Sequence, residues 1–455
     1  MSRTNGGGTD SFSALSVTPA DMHVRTLGPA RVDSPLVTLL SDTQQGVQYV
    51  ADTDRVMLHD TTEVLEHCKR PLGELASFEL AGPRRKVFFD ASKTRAGIVT
   101  CGGLCPGLND VIRGLVLSLS LIYGVKHVYG FKNGYAGFIP SFGYDVLDLE
   151  PETVSEINER GGTILGSSRG EQDPVAIVDC LERMSINILF VIGGDGTMRG
   201  ALAVAEEVEK RGLKISVVGV PKTIDNDIMF LDQSFGFQTA YSAATGAIRA
   251  AHQEAKGAHN GVGLVKLMGR HSGFIACYAS LAMSDANFVL IPEVPFALEG
   301  ERGFLNVLHK RLIKRKHAVI VIAEGAGQEM LHADATKTDA SGNMKLQDVG
   351  PFLRDAICAH FKKISFECSV KYIDPSYIIR SVAASPPDSV FCLRLAHAAV
   401  HAAMSGRTEM VVGSWHGRFV HVPMALAIRQ RQTVNPDGDL WQSVLESTGQ
   451  PREWK

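Results

Sequence analysis

From about Leu80 onward, short apolar runs alternate with stretches of helical periodicity. Residues 96–100, 187–192 and 215–220 are continuous apolar runs, the pattern of parallel strands buried on both faces. Helical periodicity follows the first two over 108–121 and 198–211. Further strands are expected at 262–267, 288–291 and 318–323, with helices near 238–256, 272–283 and 304–316. This alternation predicts an α/β protein with two doubly wound parallel-sheet layers. An apolar helix is expected over 390–404, either interior or at a subunit contact. Residues before about 90 show weak periodicity and are expected to wrap the core, and residues 325–350 turn polar as a surface excursion that includes Asp339-Ala340-Ser341-Gly342-Asn343. There is no solenoid-period repeat and no coiled coil.

At 455 residues the chain can build two core-bearing domains plus an extension. A formal charge of −3 argues against a large nucleic-acid footprint, and no apolar run is long enough to span a bilayer. The eight cysteines, Cys68, Cys101, Cys105, Cys180, Cys277, Cys358, Cys368 and Cys392, form no Cys-x-x-Cys pair and read as reduced thiols rather than zinc ligands. Residues 1–21 are rich in Ser, Thr and Gly without a secretory pattern, so a disordered start is expected. The terminal Trp454-Lys455 belongs to no Ser-Lys-Leu type signal, and the cytosol is the expected compartment.

The candidate chemistry sits at the carboxyl ends of the apolar runs, where open α/β sheets place ligands. Pro221-Lys222-Thr223-Ile224-Asp225-Asn226-Asp227 puts two carboxylates, a hydroxyl and an ammonium into seven residues. One carboxylate is placed to take a substrate proton while the other holds metal or water. Thr, Asp and Asn are also ordinary turn residues, and alone this segment reads equally well as a capped loop. Gly193-Gly194-Asp195-Gly196-Thr197, however, opens a helix after its own strand, a place where backbone N–H groups meet phosphate and Asp195 is positioned for Mg²⁺. Cys101-Gly102-Gly103-Leu104-Cys105-Pro106-Gly107 repeats the arrangement. One glycine loop is weak evidence, whereas three strand–loop–helix units together describe a phosphate-handling site.

These loops, together with Met268-Gly269-Arg270-His271-Ser272-Gly273, resemble those of the 6-phosphofructokinase family, and specifically its long ATP-dependent plant and protist (trypanosome-like) forms. Gly162-Thr163-Ile164-Leu165-Gly166-Ser167-Ser168-Arg169, Val321-Ile322-Ala323-Glu324-Gly325 and Tyr372-Ile373-Asp374-Pro375-Ser376-Tyr377-Ile378-Ile379-Arg380 agree with that subgroup as well. The resemblance runs from about Arg95 to Pro423. It implies an N-terminal extension over 1–94, a nucleotide-binding domain over 95–235 plus about 381–435, a sugar-phosphate domain over 236–380 and a C-terminal segment over 436–455.

The implied reaction is Mg²⁺-dependent transfer of the terminal phosphoryl of ATP to the 1-hydroxyl of fructose 6-phosphate. Asp225 is the implied general base. Asp227 would orient the loop and help hold Asp225 ionised through its hydrogen bonding, with Thr223, Lys222 and Arg270 positioning and neutralising the reacting groups. Gly103, Arg169, Gly194, Asp195, Gly196 and Thr197 are expected on the nucleotide, with Asp195 as metal ligand. Met268, Gly269, Arg270, Glu324, Tyr377 and Arg380 are expected on the sugar phosphate, alongside Thr223 and Asp225. Two departures stand out. Gly261 occupies the place where bacterial relatives carry an arginine that reaches a neighbouring subunit, and Tyr377 stands where they have histidine.

The donor is argued from two positions. In the family, an aspartate at the place of Gly196 accompanies pyrophosphate use by repelling a nucleotide's α-phosphate, so glycine favours ATP. Lys222 is typical of pyrophosphate enzymes but also occurs in the long ATP-dependent forms. The alternatives are therefore a pyrophosphate-dependent enzyme and, more remotely, an NAD- or lipid-kinase-like enzyme or an inactive regulatory subunit. The resemblance further implies allosteric control and a homotetramer or dimer.

Overall fold

The alternation of side chains in a strand accounts for the unbroken apolar runs. In the Ile188–Gly193 strand, Ile188, Phe190 and Ile192 pack into one core, while Leu189 and Val191 enter another on the opposite face. The Gly261–Leu267 strand does the same, with Val262 and Leu264 on one side and Val265 and Leu267 on the other. The computed structural model describes residues 17–36, 48–62, 74–331 and 346–454.

Among the described residues, a nine-stranded sheet has five parallel strands at its centre. Their spatial order is His127–Phe131, Arg95–Thr100, Ile188–Gly193, Ser216–Pro221 and Met410–Trp415. Chain order reverses beside Arg95–Thr100, which makes its carboxyl end a topological switch point. The edges depart from the expected parallel sheet. Val146–Asp148 pairs antiparallel at one edge, and Arg418–Pro423, Ser77–Leu80 and Arg55–Met57 continue antiparallel at the other. The N-terminal extension therefore lengthens the sheet as well as covering it. Glu79 anchors it through Arg84 at 2.8 Å and Arg407 Nε at 2.7 Å, a buried cluster spanning the extension and the C-terminal third.

A second sheet of four parallel strands has the order Phe288–Leu290, His317–Ala323, Gly261–Leu267 and Ser369–Ile373. Helices Phe237–Gly257 and Pro386–Met404 contribute to the core that joins the two sheets. The latter helix is thus largely interior, although Val390 and Leu393 remain exposed.

The disordered start does not extend to residues 17–22. Pro19–Met22 is a 3₁₀ turn capped by Thr18, and Met22 is buried. Residues 1–16 and the excursion around 339–343 lie outside the described residues. Cys101, Cys105, Cys180, Cys277, Cys358, Cys368 and Cys392 are free thiols. No helix among the described residues is long and apolar enough to cross a membrane.

Candidate active site

Strand register brings the three sequence loops together. Thr100 lies beside Ile192, and Pro221 beside Gly193, so the loops after Arg95–Thr100, Ile188–Gly193 and Ser216–Pro221 leave the large sheet at the same level. In the second sheet Leu267 pairs with Ala323, which sets Met268-Gly269-Arg270 next to Glu324. Gly269 has φ +126°, and a Cβ there would meet the Ser272 carbonyl at 2.4 Å; a Cβ on Gly325 would meet the Arg270 carbonyl at 2.0 Å. Only glycines permit this crossing of the two loops.

The acidic box meets the second sheet directly. The Arg270 backbone N–H approaches Asp225 Oδ2 at 3.5 Å, and Ser272 Oγ donates to the Asp225 carbonyl at 2.9 Å. Asp225 Oδ1 is buried and has no hydrogen-bond partner in the structure. Burial, reinforced by the charges of Asp227 and Glu324, raises the Asp225 carboxyl to about 8. This corrects one expectation: the charge of Asp227 pushes Asp225 towards its protonated form instead of holding it ionised. Burial raises Asp227 itself, against the opposing pull of Arg431 and the Thr223 hydroxyl.

The box is also not a simple extended loop. Asn226 adopts φ 55°, and its Oδ1 accepts from the Ser234 N–H at 2.7 Å. Thr223 Oγ1 donates to Asp227 Oδ1 at 2.9 Å and accepts from the Asp225 N–H at 3.1 Å, so one hydroxyl ties the Asp227 carboxylate to the Asp225 backbone.

Cations gather on the first glycine loop. Lys222 Nζ donates to the Gly103 carbonyl at 2.6 Å, and burial lowers the pKa of its ammonium. A Cβ on Gly103 would lie 3.4 Å from Arg169 Nη2 and 3.8 Å from Arg380 Nη1; one on Gly102 would lie 3.4 Å from Lys222 Nζ and 4.0 Å from Thr197 Oγ1. Arg380, expected at the sugar phosphate, therefore also reaches the glycine loop. Its guanidinium lies over the Tyr377 ring at 4.7 Å, and that tyrosine is exposed. Glu324 is half-buried, and burial raises its carboxyl despite nearby Arg270. Asp195 opens helix Asp195–Lys210, with Gly194 as an N-cap that offers no side-chain bond. The first-turn N–H groups are thus left for another acceptor. Beyond its chain neighbours and the backbone of its own helix, no heavy atom lies within 4 Å of a Cβ built on Gly196.

Sequence reasoning missed Ser234, Asn226 in its capping role, and Arg431. Arg431 Nη2 lies 3.4 Å from Asp195 Oδ2, and its Nη1 lies 3.5 Å from Asp227 Oδ2. Its only signal was a cation in a polar stretch, which is indistinguishable from a solvated surface charge.

Two α/β layers with cations, glycine loops and a buried carboxylate at their facing strand ends define a phosphate-handling α/β protein. The chain belongs to the phosphofructokinase family, whose model matches residues 95–403. It is 54% identical over 440 residues to the ATP-dependent 6-phosphofructokinase of Amycolatopsis methanolica, covering 95% of this chain and 96% of that one. The protein of the same name from Borreliella burgdorferi is 48% identical over 441 residues (96% and 98% covered), and that of Trypanosoma brucei brucei is 45% identical over 409 (87% and 83%). Solved structures share the fold. The pyrophosphate-dependent phosphofructokinase of Marinobacter aquaeolei aligns with TM-score 0.64 at 20% identity (80% and 92% covered). Pichia pastoris phosphofructokinase in the T-state aligns with TM-score 0.61 at 21% identity, covering 78% of this chain and 37% of that longer one.

Proposed function

We infer that this chain transfers the terminal phosphoryl group of ATP to the 1-hydroxyl of fructose 6-phosphate, giving fructose 1,6-bisphosphate and ADP, a step of glycolysis. The observation that carries the reading is Asp225, a buried carboxylate with one unpartnered oxygen where the two sheets meet. In this reading Asp225 takes the proton of the 1-hydroxyl as its oxygen forms the new bond to phosphorus, and the bond from phosphorus to the ADP oxygen breaks. A carboxyl near 8 is matched to base work close to neutral pH. Lys222, Arg169 and Arg270 neutralise charge on the transferring group, and Thr223 holds the Asp227 carboxylate and the Asp225 backbone. Met268, Gly269, Glu324, Tyr377 and Arg380 hold the sugar phosphate. Gly103, Gly194, Gly196 and Thr197 line the nucleotide.

Mg²⁺ fits Asp195. Among the described residues no group of three or more His, Cys, Asp or Glu forms a closed metal cage. Mg²⁺, however, keeps several waters and binds through one or two carboxylates plus substrate phosphates, and Asp195 offers one hard-oxygen ligand at a helix N-terminus. When bound, the metal would neutralise phosphate charge.

ATP is favoured over pyrophosphate as donor because Gly196 leaves open space where a carboxylate would face the α-phosphate. Lys222 fits either donor. The large sheet with its C-terminal strands is taken as the nucleotide side, and the four-stranded sheet as the sugar side. A cytoplasmic homotetramer, with a dimer as the alternative, completes the reading. A coupled assay comparing ATP with pyrophosphate tests it: ATP turnover that forms fructose 1,6-bisphosphate is expected, and absence of turnover with either donor would overturn it.

A further inference from the structure

The segment after the last sheet strand passes across the site. Arg429 points away and pairs with Asp21 at 2.7 Å, whereas Arg431, two residues on, faces the acidic groups. The backbone holds it there. Arg431 forms an isolated antiparallel bridge with Ile228, and the Gln432 N–H donates to the Asp227 carbonyl at 2.9 Å. Next, the Val434 N–H donates to Glu293 Oε1 at 2.7 Å, and that same oxygen accepts the Gly273 N–H at 2.9 Å, just after the Met268–Arg270 loop. This one segment thus touches the acidic box and the first helix turn of the second glycine loop, and reaches the entrance to helix Phe274–Met283 through Glu293.

Its guanidinium spans two carboxylates on different loops, using a different nitrogen for each. Without a cation between them Asp195 and Asp227 repel, and a planar fork is the side chain suited to holding both at once. Arg199 also pairs with Asp195 at 2.7 Å, but from the same helix and with its side chain mostly exposed, so it adds no tie between loops.

We propose that Arg431 is a positioning residue for phosphoryl transfer, a fork that ties Asp195 on the donor side to Asp227 on the acceptor side and fixes their spacing. The inference rests on the reading of the site as a phosphotransferase. Small displacements matter in such a site because phosphoryl transfer depends on alignment, and a shift of about 1 Å can cost about a hundredfold in rate.

The test compares wild type, Arg431→Ala, Arg431→Lys and, as a surface control, Arg429→Ala. Wild-type turnover decides the underlying reading independently of the variants. Arg431→Ala is expected to lose kcat by about tenfold to a hundredfold, with KM for fructose 6-phosphate within about threefold. Arg431→Lys should recover part of that loss, since an ammonium can serve only one carboxylate well. Hydrogen exchange in protein free of metal and nucleotide should speed up across residues 223–228 in Arg431→Ala but not in Arg429→Ala. Unchanged kcat in Arg431→Ala, an equal loss in Arg429→Ala, or a rise in KM with kcat intact would overturn the proposal. If the alanine variant fails to fold, wild-type kcat and exchange in a folded Arg431→Lys would overturn it equally.

Discussion

Lys222 Nζ donates a 2.6 Å hydrogen bond to the carbonyl of Gly103, across 119 residues of sequence. The bond joins the acidic box to the first glycine loop and aims a cation into the space between them. Lys222 is only 6% exposed, so its position is set by the protein and not by solvent. Removing it as Lys222→Met takes away the charge and leaves the Gly103 carbonyl unpaired. Steady-state kcat should fall by about a hundredfold or more. Lys222→Arg should not fully restore it, because a planar guanidinium does not reproduce the compact ammonium that bonds the Gly103 carbonyl; full activity in either variant would remove Lys222 from the chemistry.

The Asp225 carboxyl, raised to about 8 by burial and by Asp227 and Glu324, makes two pH predictions. As a base it must be ionised, so kcat/KM should fall as pH drops below about 8, the limb reporting the free enzyme. A flat profile between pH 6 and 9 would contradict this. In the folded state the carboxyl holds its proton more tightly than in the unfolded chain. The unliganded protein is therefore penalised by this group increasingly as pH rises from about 4 to 8, and fully above that. Asp225→Asn should accordingly raise Tm at pH 9, and the gain should vanish near pH 4.

Gly196 offers a direct test of the donor. A Cβ there would meet nothing within 4 Å beyond its chain neighbours and its own helix backbone, so Gly196→Asp should fold normally. Its carboxylate would face the incoming α-phosphate, and kcat/KM for ATP should fall by about tenfold or more, with any pyrophosphate activity spared. Wild-type ATP kinetics in this variant would remove the steric and electrostatic argument.

Much of this arrangement was legible in the sequence because buried parallel strands announce themselves. The run at 187–192 appears as Ile188–Gly193, and that at 318–323 as His317–Ala323, since both faces of each strand are covered. The glycine loops were readable because their residues must serve local geometry and ligand at once. The antiparallel edge strands Met57, Phe78 and Val420 belong to were not foreseen, being short and dependent on partners far away in the chain. Arg431 and the effect of Asp227 on Asp225 were hidden for a similar reason. Both depend on distances across loops, which spacing in the sequence does not encode.

The most direct measurement is kcat for Asp225→Asn with ATP, beside fructose 6-phosphate affinity measured by calorimetry on the same protein. A general base in phosphoryl transfer predicts a loss of about 10² or more in kcat with affinity within about threefold. Near-normal turnover by the asparagine variant would contradict the account.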